Sequence, residues 1–555
     1  MKRYIKSFVA AGLFSLTFIY TGCIEETEPT TVATLDQIQR SSQATKAQAL
    51  AIPAALQAID NSYLDNNNWH AVFGYPSMMI IRDIMANDMG FPTSSYASHF
   101  YRFGACQYMG GDYIYAGYIW SFYYSLIQTA NAVIEVVDPA SASSDQLGYL
   151  GAAYAFRAMA YLDLARMYEW LPNEKTTNIN ANGNNIAGLT VPIVKNGTTE
   201  DEARNNPRAP RAEMVAFIKD DLANAKRYIP NIADRLNRTL PNLACVYGLE
   251  ARFHLWEAYN SLGEETADAA ECFAAAAAAA QNAISAAGMS PLSEAVALDK
   301  TSGMNTYSQF LWCCNLVKED DAVQTGIVNF TSWMSNQTQY GYTGAATGQY
   351  MICDRRFYER ISNSDWRKKW WQAPEGSILR DQIEYLNAED KEGLPAYAAI
   401  KFRPGQGNAD DYNVGSATAI PVMRVEEFYF LKAEAEAHLN PADGIATLRD
   451  FMTQYRDPNY MSNATSSVES AVDEIIFQKR VEFWGEGLVF FDYKRLNMSV
   501  TRGYEGTPFF DLLRLNTEGR PAWMNIVLSV REYQNNKAIT LYNNPDPSDM
   551  YTPWK

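Results

Sequence analysis

Apolar residues recur at three- and four-residue spacing through several long stretches of this chain, the period at which one side of an α-helix meets a core. The clearest stretch runs from about Gln146 to Trp170. There Tyr154, Ala158, Tyr161, Leu162 and Ala165 share a stripe, Arg157, Asp163 and Arg166 lie off it, and Leu171-Pro172 ends it. A second predicted helix covers Pro210 to Tyr228 and stops at Pro230, and a pair follows at Pro241 to Ser261 and Thr266 to Ala287. Ala251, Ala258 and the run Ala274 to Ala280 are small enough for close helix approach. Two further pairs are predicted, Val425 to His438 with Ala442 to Tyr455, and Val472 to Trp484 with Leu488 to Leu496.

Small and aromatic residues alternate along these stripes at intervals of roughly 34 residues, a pattern that resembles degenerate tetratricopeptide helix hairpins. Between the helical blocks the chain changes character. Asn66 to Met79, Met89 to Gly117, Asn173 to Arg208, Pro291 to Tyr350 and Trp370 to Ile420 are rich in Gly, Asn, Ser, Thr and aromatics, which predicts long irregular loops. Loops longer than about 15 residues in a compact protein are usually functional. Phe310 to Val317 is an apolar run read as a strand, with Cys313 and Cys314 on opposite faces. The expected fold is mainly α. Helix hairpins at about 34–290 and 421–500 form the scaffold of a single domain, 34–555, with a few short strands and a ligand-binding loop region at about 291–420.

The first residues address compartment. Lys2, Arg3 and Lys6 precede an apolar run from Phe8 to Tyr20 that closes at Thr21-Gly22-Cys23, the form of a secretory signal over residues 1–22. A membrane span needs about 20 apolar residues, more than this run holds. A cysteine after small residues at this place resembles the lipobox of bacterial lipoproteins, although Tyr20 stands where Leu or Val is usual. That resemblance makes Cys23 the lipidated anchor, with palmitate-type acylation, and 23–33 a tether. Glu25 and Glu26 resemble the acidic signal that sends some lipoproteins to the outer leaflet.

Composition agrees with a folded chain, at 47% hydrophobic and 20% charged residues. The net charge of −17 falls to about −20 when Lys2, Arg3 and Lys6 leave with the signal, a surface that repels phosphate backbones and argues against nucleic acid as a partner. Six cysteines remain after Cys23, none in a C-x-x-C pair, and buried free thiols are the expected state of Cys313 and Cys314. His70, His99, His254 and His438 form no metal spacing, so no transition-metal site is expected. Neither a G-x-S-x-G elbow nor a phosphate loop occurs. The chain is therefore expected not to be an enzyme. Glycoside hydrolysis needs only two carboxylates roughly 5 or 6.5–9.5 Å apart, and remains as an alternative. A helix-repeat adaptor is another, and it would have short uniform loops, which this chain lacks.

Several motifs are similar to those of the SusD/RagB family of outer-membrane nutrient-binding lipoproteins. Arg157-Ala158-Met159-Ala160-Tyr161-Leu162-Asp163-Leu164, with Tyr168 and Pro172, resembles the family's "RA-x-x-Y-x-x-L" helix and its "YG-x-P" end. Gly188 to Val194 is similar to its "GVPLV" strand, and Arg211 to Pro230 to the helix that follows. Lys479-Arg480-Val481-Glu482-Phe483-Trp484-Gly485-Glu486-Gly487, continuing through Phe491-Asp492-Tyr493-Lys494-Arg495-Leu496, resembles "RR-x-E-L-x-x-E-G-x-R-x-x-D-L-x-R". Val530 to Asn536 and Asn544-Pro545 resemble the tail, with Ser529-Val530 in place of Ile-Pro. The resemblance implies a SusD-like fold, a cell-surface lipoprotein and a SusC-like TonB-dependent outer-membrane channel as partner, with glycan or, alternatively, peptide as cargo.

The same residues have an architectural reading. Glu482 and Glu486 are placed to share an Arg, Asp492 and Arg495 to close a buried ion network across the hairpin, and Gly485 and Gly487 to mark the turn. For the ligand, 12 Trp and 35 Tyr supply flat apolar faces with polar edges, suited to sugar rings. Rings flanked by Gly, Asn, Gln or Ser in the loops are the candidates: Tyr75, Tyr101, Tyr108, Trp333, Tyr340 and Tyr342. The segment from Asn329 to Ala345 is expected to be too polar to bury itself as a helix. No cofactor is expected; a structural calcium is compatible with loop carboxylates such as Asp410 and Asp411, although no EF-hand spacing supports it.

Overall fold

Serine side chains start two of the first long helices. In the computed structural model Ser41 caps α1 (Ser42–Gln57) by accepting from the Ala44 amide, and Ser143 with Gln146 forms a reciprocal capping box on α5 (Ser144–Tyr168). The structure describes residues 39, 41–60, 69–94, 98–301, 303–344 and 347–555. The signal segment, Cys23 and the tether lie outside the described residues. Between α1 and α5 come α2 (Tyr75–Met85), α3 (Ser98–Gly104) and α4 (Ile114–Val136). Then follow α6 (Arg211–Tyr228), α7 (Leu243–Glu257) and α8 (Ala269–Ala287), the last closed by Gly288 in the left-handed conformation at φ 62°. No helix among the described residues is long and apolar enough to cross a membrane.

α5 packs on α4 and α6, α7 on α8, and α8 on α10 (Val425–Leu439). α10 in turn pairs with α11 (Pro441–Tyr455) and α12 (Val468–Glu482). The fold is mainly α, with helix hairpins as its scaffold. Ala276, Ala279, Ala280 and Ala283 of α8 are buried at these contacts, where a larger residue would hold the helices apart. The last predicted hairpin differs. Its second helix, α13 (Val489–Arg495), is short and lies against α2. Gly487 makes that approach feasible, because its φ is 70° and a Cβ there would stand 2.6 Å from the Met79 Cα.

Two antiparallel ribbons complete the framework. β1 (Met89–Gly90) pairs with β3 (Ile352–Cys353), and β2 (Trp312–Asn315) with β4 (Ala419–Met423). The predicted strand at Phe310–Val317 is present over its middle, with a register break between Trp312 and Cys313. Cys313 and Cys314 are both buried and free; no disulfide links the described cysteines. Gly188 to Val194 forms a single isolated bridge, Leu189 to Pro210, held by Arg208, whose buried guanidinium donates to the Thr190, Leu189 and Tyr168 carbonyls.

Several segments expected to be loops contain helix, among them α3 within Met89 to Gly117. Residues 75–79 open α2, whose eleven residues are all buried, so its sequence shows no polar face to give the helical period away. Phe330–Met334 forms a short helix, α9, capped by Asn329. Its polar neighbours turn inward: the Ser332 hydroxyl accepts the Tyr342 amide at 3.0 Å and the Thr343 hydroxyl donates to the Trp333 carbonyl at 3.0 Å.

The α12–α13 turn is tied down by charge. Arg424 donates to Glu482 and Glu486, Arg456 to Glu482, Arg367 to Asp365 and Glu482, and Lys401 to Glu486, in a cluster closed to solvent. Burial works to raise the Glu482 carboxyl, but Arg456 and Arg424 outweigh it and hold it well below its ordinary value. The expected Asp492–Arg495 pair forms at 3.1 Å, and Lys479 joins it at 2.8 Å.

Candidate functional site

Helix α3 sorts the candidate rings into an outer and an inner group. On one side Arg102 meets Gln107 and Tyr108 of the segment 105–113; on the other Phe100 meets Trp333 of α9. The outer segment turns sharply, with Cys106 at φ 52° and Tyr108 at φ 58°, the left-handed region that side-chain-bearing residues seldom occupy. Such a conformation costs on the order of 1–3 kcal/mol and persists only where neighbours enforce it. The last residues of the chain do so. The Asp549 amide donates to the Cys106 carbonyl at 2.9 Å, and the Met109 amide to the Ser548 hydroxyl at 2.8 Å. Gly110 lies so close to Asp546 that a Cβ would meet its Oδ2 at 2.2 Å.

This clamp leaves Tyr108 and Tyr113 standing out from the surface, 40% and 43% exposed, with ring centroids 5.0 Å apart and edge to face. Tyr101 is buried behind them, its ring edge on Phe510 at 5.3 Å. Arg102 lies between, its guanidinium carbon 4.8 Å from the Tyr101 centroid and 4.5 Å from that of Tyr108. Asp112 accepts the Tyr533 hydroxyl at 3.1 Å, which extends the polar rim.

The inner group is closed. Trp333 is 0% exposed and stacks on Tyr342 at 4.3 Å, while Phe100 meets its edge at 4.8 Å. The Trp333 Nε1 donates to the His70 carbonyl at 3.3 Å, and His70 bonds the Tyr342 hydroxyl. His70 and His99 stack at 4.5 Å. Burial and the neighbouring His70 push the His99 imidazole down to about 4, so it is uncharged at neutral pH.

The two remaining candidates sit apart. Tyr75 is 1% exposed, with Arg82 over its ring at 4.9 Å. Tyr340, half-buried, leans on Tyr412 at 6.3 Å, and burial pushes its hydroxyl up to about 12. The structure thus places Tyr108 on the surface with Tyr101 buried behind it, and Trp333 and Tyr342 together beneath. Tyr113 and Arg102 were not singled out from the sequence. Tyr113 follows Gly110-Gly111-Asp112, the same kind of flank that marked Tyr108, and that signal was available.

Concave surface elsewhere is of another chemistry. A cleft of about 780 Å³ is lined by Arg211, Lys219, His254, Glu257 and Cys272, and its one tyrosine, Tyr259, is itself buried against Phe273. Among the described residues no group of three or more His, Cys, Asp or Glu is arranged to hold a metal ion. Asp411 instead caps a short helix, accepting from the Asn413 amide at 2.9 Å.

The helical scaffold thus presents two rings and a cation on an open face. The chain belongs to the SusD family: residues 29–255 match the family profile described as starch-binding, associating with outer membrane, and residues 280–553 that described as SusD family. Proteins of this family are outer-membrane-associated nutrient-binding lipoproteins, in general not catalysts, that typically pair with a SusC-like TonB-dependent transporter. Among solved structures, a SusD-like carbohydrate binding protein from Bacteroides vulgatus is 19% identical with a TM-score of 0.66, over 90% of this chain and 97% of that one. A SusD superfamily protein from Bacteroides thetaiotaomicron is 15% identical with a TM-score of 0.64, over 91% and 100%. One from Bacteroides fragilis is 17% identical with a TM-score of 0.61, over 90% and 99%. Among curated proteins the sequence comparison finds no match.

Proposed function

We propose that this protein is anchored by lipid at Cys23, captures oligosaccharide on the face built by Tyr101, Arg102, Tyr108 and Tyr113, and passes it to a SusC-like channel. The observation that carries the glycan reading is the exposed pair Tyr108 and Tyr113, held out by a strained turn that the chain's own end enforces. Flat rings with polar edges suit the C–H faces of pyranoses, and the nearby Arg102, Gln107 and Asp112 can bond hydroxyls. Trp333 and Tyr342 support α3 from beneath, and Tyr340 and Tyr75 pack their own surroundings. The domain is proposed to begin near residue 34, after the tether. Screening the purified ectodomain against glycan and peptide arrays tests the reading. Glycan signals that vanish in a Tyr108→Ala, Tyr113→Ala double variant support it, and binding confined to peptides refutes it.

A further inference from the structure

Among the described residues Arg102 is held by an amide oxygen and by rings. Nη1 donates to the Gln107 Oε1 at 2.6 Å, the two tyrosine rings cover the guanidinium faces, and the Tyr115 hydroxyl lies beside it. Among the described residues no carboxylate pairs with it. The acids nearest in sequence are engaged elsewhere: Asp112 with the Tyr533 hydroxyl, and Asp88 with Arg480. By contrast, Arg204 on the surface pairs with Glu200, and Arg355 with Glu359. Arg102 is also half-exposed and fixed by stacking, so it meets a ligand without losing side-chain freedom.

We infer that the ligand of this face is an acidic oligosaccharide, a glycan bearing uronate carboxylates, with one carboxylate paired to the Arg102 fork and sugar rings lying on Tyr108 and Tyr113. The inference rests on the glycan reading above and narrows it. A guanidinium presents parallel N–H donors that match the two oxygens of a carboxylate. The ring that would carry the sugar is the one the guanidinium already touches, so one acidic residue spans both contacts. The overall charge of −17 acts only weakly on an anion at this face, because ions screen charges more than about 8 Å away at physiological ionic strength, and the groups within that range then decide. A neutral sugar would cover Arg102 without pairing it, which sets the direction of selectivity.

Calorimetry tests this with trigalacturonate and a glucuronate-bearing xylo-oligosaccharide, each beside its carboxyl-reduced neutral counterpart. Wild type, Arg102→Gln and Arg102→Lys are compared, with melting temperatures to show that the variants fold. At least one acidic probe should bind about tenfold or more tightly than its neutral counterpart, and more weakly as salt is raised. Arg102→Gln should erase that preference and Arg102→Lys retain part of it. Equal binding of acidic and neutral members, or a preference unchanged in Arg102→Gln, overturns the inference and leaves the glycan reading standing. No binding to any of the four probes also overturns it, and the array then decides the glycan reading separately.

Discussion

Arg424 holds Glu486 through two nitrogens, Nε and Nη2, each 2.9 Å from a carboxylate oxygen, in a place closed to solvent. Its third nitrogen reaches Glu482. Arg424→Met should leave both carboxylates short of a partner, at a cost of about 3–5 kcal/mol. Urea denaturation measures the loss. A change within about 0.5 kcal/mol, the range of ordinary surface substitutions, would mean that the cluster does not hold the α12–α13 turn.

Asp83 should make stability depend on pH. Burial raises its carboxyl from 3.8 to about 7, against the pull of the Gly487 and Gly485 amides, Arg82 and Lys401. The folded state therefore keeps a proton that the unfolded chain has lost. This contribution to stability is full below the unfolded value and declines as pH rises from about 4 to about 7, by at most about 1.4 kcal/mol per unit. Asp83→Asn retains an oxygen for the Gly485 amide and removes the titration. Its stability relative to wild type should climb across that window and level off above it, and a constant difference from pH 4 to pH 8 would contradict the assignment.

Buried and exposed rings should separate cleanly. Trp333→Ala removes a side chain stacked on Tyr342 and edged by Phe100, and should destabilise by about 3–5 kcal/mol. Tyr108→Ala and Tyr113→Ala should leave the melting temperature within a few degrees of wild type. Thermal denaturation of the three variants distinguishes them, and an unaffected Trp333→Ala protein would show that the inner group is not packed as described.

The same rings show how far the sequence is legible. α5 could be read because its stripe of Tyr154, Ala158 and Tyr161 alternates with Arg157 and Asp163, whereas α2 could not, being buried on every side, its Ser77, Arg82 and Asp83 included. Trp333 is flanked by Asn329, Ser332 and Thr343, and polar flanks suggest exposure; here those groups serve the backbone of their own loop. The pairing of Glu482 and Glu486 through one arginine follows from spacing, but that the arginine is Arg424 is set by tertiary packing. The position of Arg102 between two rings is of the same kind.

Anchoring and partnership are tested in cells. Cys23→Ala should move the protein from the membrane fraction to the soluble one and abolish incorporation of labelled fatty acid; equal labelling of both forms would rule the anchor out. In mild detergent the wild-type protein should bring down a large β-barrel partner, and recovery of the protein alone would count against transfer to a SusC-like channel.

The central claim is that Tyr108 and Tyr113 are the face on which sugar lands. Ring stacking of this kind contributes on the order of 1–2 kcal/mol per residue, so each alanine variant should bind the responding oligosaccharide about tenfold more weakly, with the fold intact. Isothermal calorimetry of wild type, Tyr108→Ala and Tyr113→Ala on that one glycan is the direct measurement. Weakened binding at unchanged melting temperature is the predicted result, and full affinity in both variants would contradict the account.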